Sequence, residues 1–364
     1  MSIYDINGKE IASGGEVSTA QVKSALISAV ASGDVNLGSA IGATLAYTSP
    51  GEAWETNAET AYQNLLTAYK EIPNSGIPFF ISTDQHGRGV EQHRWFNNRD
   101  TDGMHALNIN LGDTVINKFR LAELDPILAR TKLVKNYISA VGNHDKSQNT
   151  SSGADVANDY DINRTFITTM KSLKNVSPMN CYSILDGAHN ATILAVDTNI
   201  QDDAGERQGI TTPVAEWIIS ELTNCETDIL WLNHWPLFDS CQQRGDTEET
   251  TTGLNTITGG NAVQFAVWQM LLDRKNKTSG TYTDDEGVEH SYDFTACKSD
   301  LLCCLHGHIH TEWYTTARGL TAYAAPMCGN TRTCTFGLID RINGKVTFWV
   351  FDSTGCLDQL ELPI

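Results

Sequence analysis

Residues 77–86 read IPFFISTDQH. An apolar run this short, rich in aromatic and β-branched residues and closed by polar groups, is too brief for a helix and predicts a buried strand. It ends on a carboxylate, Asp84, and an imidazole, His86. The same form recurs as ALNINLGD at 106–113, YISAVGNHD at 137–145, ATILAV at 191–196, DILWLNH at 228–234 and LLCCLHGHIH at 301–310. Segments of helical period, such as 119–135 and 214–223, lie between several of them. Alternating strands and helices predict an α/β fold with a largely parallel sheet, whose carboxyl strand ends gather the ligand site.

Outward from these runs the pattern changes. CTFGLIDRINGKVTFWVF at 334–351 holds an Asn343-Gly344 turn between two alternating segments and predicts an antiparallel hairpin, so the sheet is mixed. Residues 238–299 form a long insertion with a Thr-rich loop (EETTTG), a helix from about Asn261 to Lys275 and a polar hairpin around Asp284–Gly287. Its ends must flank the strand ends that carry His234 and His308, so it is a candidate substrate rim. Residues 1–75 contain no histidine. They read as a helical appendage, with one helix opening at Ser18 and another near 52–71, and as a surface for a protein partner. The main domain is expected at 76–364.

Composition narrows the function classes. With 40% hydrophobic and 19% charged residues the 364-residue chain can bury a large core. A formal charge of −19 and the absence of basic runs exclude a protein that grips long nucleic acid through its general field. Nine cysteines without a C-x-x-C pair read as buried thiols. No apolar window approaches a membrane span and no leader pattern opens the chain, which predicts a cytoplasmic protein without membrane contact.

Five of the strand ends deliver Asp84 and His86, Asp113, Asn143 with His144 and Asp145, His234, and His308 with His310. Oxygen and neutral imidazole donors in this mixture suit divalent cations, and a carboxylate such as Asp113 can bridge two ions about 3.5–4 Å apart. A single histidine beside a strand is more often a hydrogen-bonded core residue. Nine such groups arriving at one edge are not.

The blocks Asp84-x-His86, Gly112-Asp113, Gly142-Asn143-His144-Asp145, His234-x-Pro236 and Gly307-His308-x-His310 resemble, in order and spacing, those of the calcineurin-like metallophosphoesterases. The resemblance covers roughly residues 77–350. It implies a four-layer α/β/β/α sandwich of two mixed sheets with a binuclear site at the carboxyl strand ends. It further implies one metal held by Asp84, His86, Asp113 and His310, and a second held by Asp113, Asn143, His234 and His308. The ions implied are two divalent or mixed-valence ions of manganese, iron or zinc. His144 would face the substrate, and the reaction would be hydrolysis of a small-molecule or nucleotide phosphomonoester or phosphodiester by in-line attack of metal-bound hydroxide. Where many relatives carry an orienting carboxylate at the end of G-D-x-x-D, this chain has Ile116. Asp145 is then the nearest group to orient His144, or it braces the turn. Ile116 and the missing G-D-x-x-D-R-G block separate the chain from purple acid phosphatases and from serine/threonine protein phosphatases.

Two other readings stand beside this one. An amidohydrolase also clusters His and Asp but opens with H-x-H, whereas this chain closes with it. An assembly protein could retain the metal site without turnover. His93, His105, His189, His290 and His306 fit none of the blocks and read as structural. Arg88 and Arg94 read as solvated loop residues able to reach a phosphate, and Gly259-Gly260-Asn261 reads as an ordinary helix start. Trp268, Tyr282, Tyr292 and Phe294 of the insertion suit either core packing or contact with a leaving group.

Overall fold

The computed structural model describes residues 3–4, 10–12, 51–86, 90–99, 103–114, 137–145, 173–176, 180–198, 200–201, 207–238, 240–248, 262–329, 332–356 and 359–364. The helix expected at Ser18, that at 119–135, the EETTTG loop after its first residue, Gly259-Gly260-Asn261, Arg88 and Ile116 lie outside them. The chain divides into two compact units, Met1–Thr48 and Ser49–Ile364. In the first, strands β1 (Ile3–Tyr4) and β2 (Glu10–Ala12) form an antiparallel pair.

The second unit runs α1 (Ala53–Glu71), β3 (Gly76–Ser82), α2 (Val90–Arg99), β4 (Leu107–Asn110), β5 (Tyr137–Ser139), β6 (Leu173–Val176), β7 (Tyr182–Asp186), β8 (Ala191–Val196), β9 (Ile200–Gln201), β10 (Arg207–Gly209), α3 (Thr212–Asn224), β11 (Asp228–Asn233) and α4 (Ala262–Asn276). It continues through β12 (Ser279–Thr283), β13 (Glu289–Asp293), β14 (Leu301–His306), β15 (Trp313–Thr315), β16 (Thr321–Ala324), β17 (Cys334–Asp340), β18 (Lys345–Phe351) and β19 (Leu360–Pro363).

Two mixed sheets carry the fold. One has six strands in the order β19-β18-β17-β3-β4-β5, with β3, β4 and β5 parallel; the other has seven in the order β15-β16-β14-β11-β8-β7-β6, with β8, β11, β14 and β16 parallel. Ile77, Phe79 and Ile81 of the first sheet share one apolar cluster with Ile193, Leu230, Leu232 and Leu305 of the second. The alternate residues Leu194, Ile229 and Trp231 join the other cluster, with Val214 and Ile218 of α3 and Val267 and Leu271 of α4. Covering both faces of a parallel strand is why these runs read as continuously apolar. Each such side chain contributes about 1.5–3 kcal/mol by leaving water.

Phe80 points to the far side of the first sheet, where Phe96, Phe336 and Phe351 pack around it with ring centroids 5.1, 5.2 and 6.5 Å away. Helix α1 belongs to this layer. Trp54, Ala58, Ala61, Tyr62 and Leu65 make one buried helical face, and the helix packs on β17 and β18. The helix that the sequence places in an appendage ending at residue 75 thus lies within the larger unit, because that apolar face is buried against the sheet.

The insertion at 238–299 is also mostly fold. Helix α4 crosses from β11 to the parallel strand β14, and the β12–β13 hairpin packs on that helix. Trp268, Tyr282, Tyr292 and Phe294 are buried in the outer apolar cluster, so they serve packing. Among the described residues no helix is long and apolar enough to cross a membrane.

Candidate metal centre

The carboxyl ends of β3, β4 and β5 meet those of β11 and β14, and the backbone is stitched across the junction. His308 N donates to Asp84 Oδ2 (2.9 Å), Asp84 N to Gly112 O (3.0 Å), His86 N to Asp113 O (3.0 Å) and Gly307 N to His234 O (2.9 Å). Two glycines make this approach possible. A Cβ on Gly142 would collide with the Asp113 carboxylate and amide, and one on Gly307 with Thr83 Oγ1.

The side chains form two groups. Ligand atoms of Asp84, His86 and His310 lie within 4.8 Å of one another, as do those of Asp113, His234 and His308. Asn143 joins the second group, its Oδ1 standing 3.1 Å from His234 Nε2. All seven sequence-predicted donors are therefore at this junction. Asp84, Asp113, Asn143 and His234 are buried, and the His310 side chain is 47% exposed. Five of them, Asp84, His86, Asp113, His308 and His310, have φ between 45° and 73°, a left-handed conformation unusual for side-chain-bearing residues.

The second group tests whether a cation fits. His234 Nδ1 lies 2.7 Å from Leu111 O, and a carbonyl only accepts, so the proton sits on Nδ1 and the Nε2 lone pair faces inward. Asn143 Oδ1 accepts from Trp235 Nε1 at 2.9 Å, which identifies that atom as the oxygen. Asp113 Oδ2 is 3.3 Å from His234 Nε2 and Asp84 Oδ1 is 3.1 Å from His310 Nε2, and both oxygens are buried. Two oxygens and an imidazole nitrogen facing one another at these distances draw positive charge between them, so the donor set fits a cation.

The same negative charge acts on the imidazoles themselves. Burial disfavours His234's charge, but Asp113's charge and hydrogen bond, with Asp84's charge, outweigh burial and lift its pKa to about 9. Burial, and then the charge of His234, push His308 down to about 3. Burial alone would raise Asp84, yet hydrogen bonding from His310 and Thr83 and the charges of His234 and His310 hold it well below the usual carboxylate range. The hydrogen bond to Asp84 raises His310 against its partial burial.

His144 stands at the mouth, its side chain 38% exposed, its ring centroid 4.9 Å from that of His86 and its Nε2 4.0 Å from Asp113 Oδ2. Its backbone N donates to Asp113 Oδ1 (2.7 Å). Asp145 accepts from Gly142 N (2.9 Å) and Thr114 N (2.8 Å), tying the GNHD turn to the Asp113 loop. Of its two expected roles the geometry displays the brace, since both oxygens are engaged by backbone amides.

The sequence reading missed Thr83, whose hydroxyl donates to Asp84 Oδ2 (2.7 Å), and Trp235. Trp235 could have been found from its place between His234 and Pro236. His93 is a satisfied core residue: Nδ1 donates to Asn108 Oδ1, and Ser82 Oγ and Gln85 Nε2 lie 2.5 and 3.0 Å from Nε2. His189 bonds Asp186 and Met104 O, and His290 bonds Asp284. His306 is buried with neither ring nitrogen bonded, and burial takes its pKa to about 3. Position 94 lies on helix α2 and not in a loop. Eight of the nine thiols are buried and Cys356 is half-buried.

The chain matches no protein-family model and no curated protein. Several solved structures are similar to it. One is a Streptococcus pneumoniae protein described as a predicted phosphoesterase, 10% identical over 80% of this chain and 99% of that one, with a TM-score of 0.36. Another is an anchor protein of the Plasmodium inner membrane complex, 10% identical over 80% and 89%, with a TM-score of 0.45. A third is a purple acid phosphatase from yellow lupin seeds, 12% identical over 80% of this chain, which spans 54% of that longer one, with a TM-score of 0.44.

Proposed function

We propose that the chain is a metal-dependent phosphoesterase acting on a phosphomonoester or phosphodiester of a small molecule or nucleotide. The observation that carries this reading is the convergence of His234 Nε2, Asp113 Oδ2 and Asn143 Oδ1, beside a second carboxylate–imidazole group. Asp84, His86, Asp113 and His310 would hold one divalent cation, and Asp113, Asn143, His234 and His308 the other. Such ions supply Lewis acidity toward phosphoryl oxygens and lower the pKa of water.

The chain's own groups do the rest. Buried Asp84 and Asp113 bring the negative charge that selects cations, in a cleft where it is weakly screened. Thr83 and the His308 amide fix Asp84, and Leu111 O fixes the His234 tautomer. His144, half-exposed at the rim, would give a proton to the leaving oxygen.

The test is hydrolysis of bis-p-nitrophenyl phosphate and p-nitrophenyl phosphate after chelation, with manganese, iron(II) or zinc restored, beside an Asp113→Ala control. Metal-dependent release that the control abolishes supports the reading, and the preferred ester separates diester from monoester chemistry. Absence of release with every metal, while two ions bind, overturns it.

A further inference from the structure

Trp235 is 3% exposed and lies between a candidate ligand and a proline. Its indole N–H donates to Asn143 Oδ1 at 2.9 Å, and its ring is tilted 39° over that of His308 with centroids 4.9 Å apart. One side chain therefore touches two donors of the second group and, through Asn143 Oδ1, faces a third, His234. The ring is itself held: Trp235 N donates to Thr198 Oγ1 (3.2 Å) and Trp235 O accepts from Asn233 Nδ2, whose own Oδ1 accepts from Trp231 Nε1 (2.6 Å).

An asparagine amide presents oxygen or nitrogen with nearly equal shape, and only the oxygen can bind a cation. An indole N–H is a donor and nothing else. Placed at Asn143, it excludes the flipped amide, which would set N–H against N–H, and leaves the second lone pair of Oδ1 for the group's centre. The aromatic face limits rotation of the His308 ring. Holding donors in their binding orientation before the ion arrives is the means by which neighbours of ligands set metal affinity.

We infer that Trp235 is a positioning residue for the second metal site, fixing the amide orientation of Asn143 and the ring of His308 and thereby setting that site's affinity. The inference rests on the metal-site reading above, and it concerns binding rather than turnover. Trp235→Phe keeps the ring and removes the donor.

The full chain, freed of metal by chelation, is titrated with Mn2+ by calorimetry. Two sites are expected in the wild type, and in Trp235→Phe one affinity falls about 10- to 100-fold while the other is unchanged. A wild-type measurement needs no altered fold: with nitrogen-15 in the eight tryptophans, the indole signal missing from Trp235→Phe must shift when Zn2+ is added. Two wild-type sites with both affinities retained in Trp235→Phe, or an indole signal that Zn2+ does not move, overturn the inference and leave the phosphoesterase reading standing. A wild type that binds no ion at the second group overturns both.

Discussion

Replacing Asp145 by alanine separates the two roles its sequence position allows. The carboxylate is buried and accepts from Gly142 N at 2.9 Å and Thr114 N at 2.8 Å. Hydrogen bonds to a charged group are worth about 1.5–3 kcal/mol each, and losing both strands two buried amides. Water entering the space recovers part of that, so a loss of about 3–4 kcal/mol is expected from a total that for typical domains is about 5–15 kcal/mol. With a urea slope near 3 kcal/mol/M, the midpoint drops by about 1 M. Asp145→Asn should fall between, because its amide oxygen keeps one donor while its NH2 confronts the other. Since Asn143 and His144 share the same turn, Mn2+ affinity should fall in parallel with stability. The assay is urea unfolding of the metal-free proteins, followed by Mn2+ titration. A stability change below about 0.5 kcal/mol, together with an altered pH–rate profile, would refute the brace and assign Asp145 to orienting His144.

Three further outcomes are expected. Gly142→Ala should lose Mn2+ binding while keeping its far-ultraviolet circular dichroism, since its Cβ meets the Asp113 carboxylate rather than the core. Adding Mn2+ at 100 times its Kd to the chelated protein should raise unfolding stability by about 2.7 kcal/mol per site, and Asp113→Asn should lose most of that gain. His93 is buried neutral, and burial, only partly offset by the Asn108 hydrogen bond, lowers its pKa from 6.5 to about 4. The unfolded chain then binds the extra proton between those values, so stability falls as pH drops from 6.5 toward 4. The His93 share is about 3 kcal/mol, and urea midpoints of His93→Gln should be correspondingly less sensitive to pH over that window.

Much of the fold was legible because buried strands in parallel sheets announce themselves as unbroken apolar runs. Each of the six quoted runs contains a strand, and the turn at Asn343-Gly344 does join β17 to β18. Their sorting into two sheets was not readable from the runs, for β3 and β11 look alike although they stand in different sheets. Helix α1 was readable as a helix but not as part of the core, because its partners, β17 and β18, lie far along the chain. The insertion's aromatics were equally ambiguous until α4 and its hairpin were seen to bury them.

The candidate site was legible for a different reason: ligand chemistry restricts residue type, so Asp, Asn and His at strand ends stand out even without their neighbours. What positions them does not stand out. Trp235 and Thr83 act through hydrogen bonds that any of several residue types could make, and tryptophan beside a strand ordinarily signals packing. The backbone at the site was invisible too. Left-handed φ is usually marked by glycine or asparagine, whereas here it falls on Asp84, His86, Asp113, His308 and His310. Each such residue costs about 1 kcal/mol or more, and burying two carboxylates costs more again. Neither expense stabilises the fold. Five strained donors and two buried acids are held in place by two sheets against their local preferences, which is the arrangement that the proposed binding of cations requires.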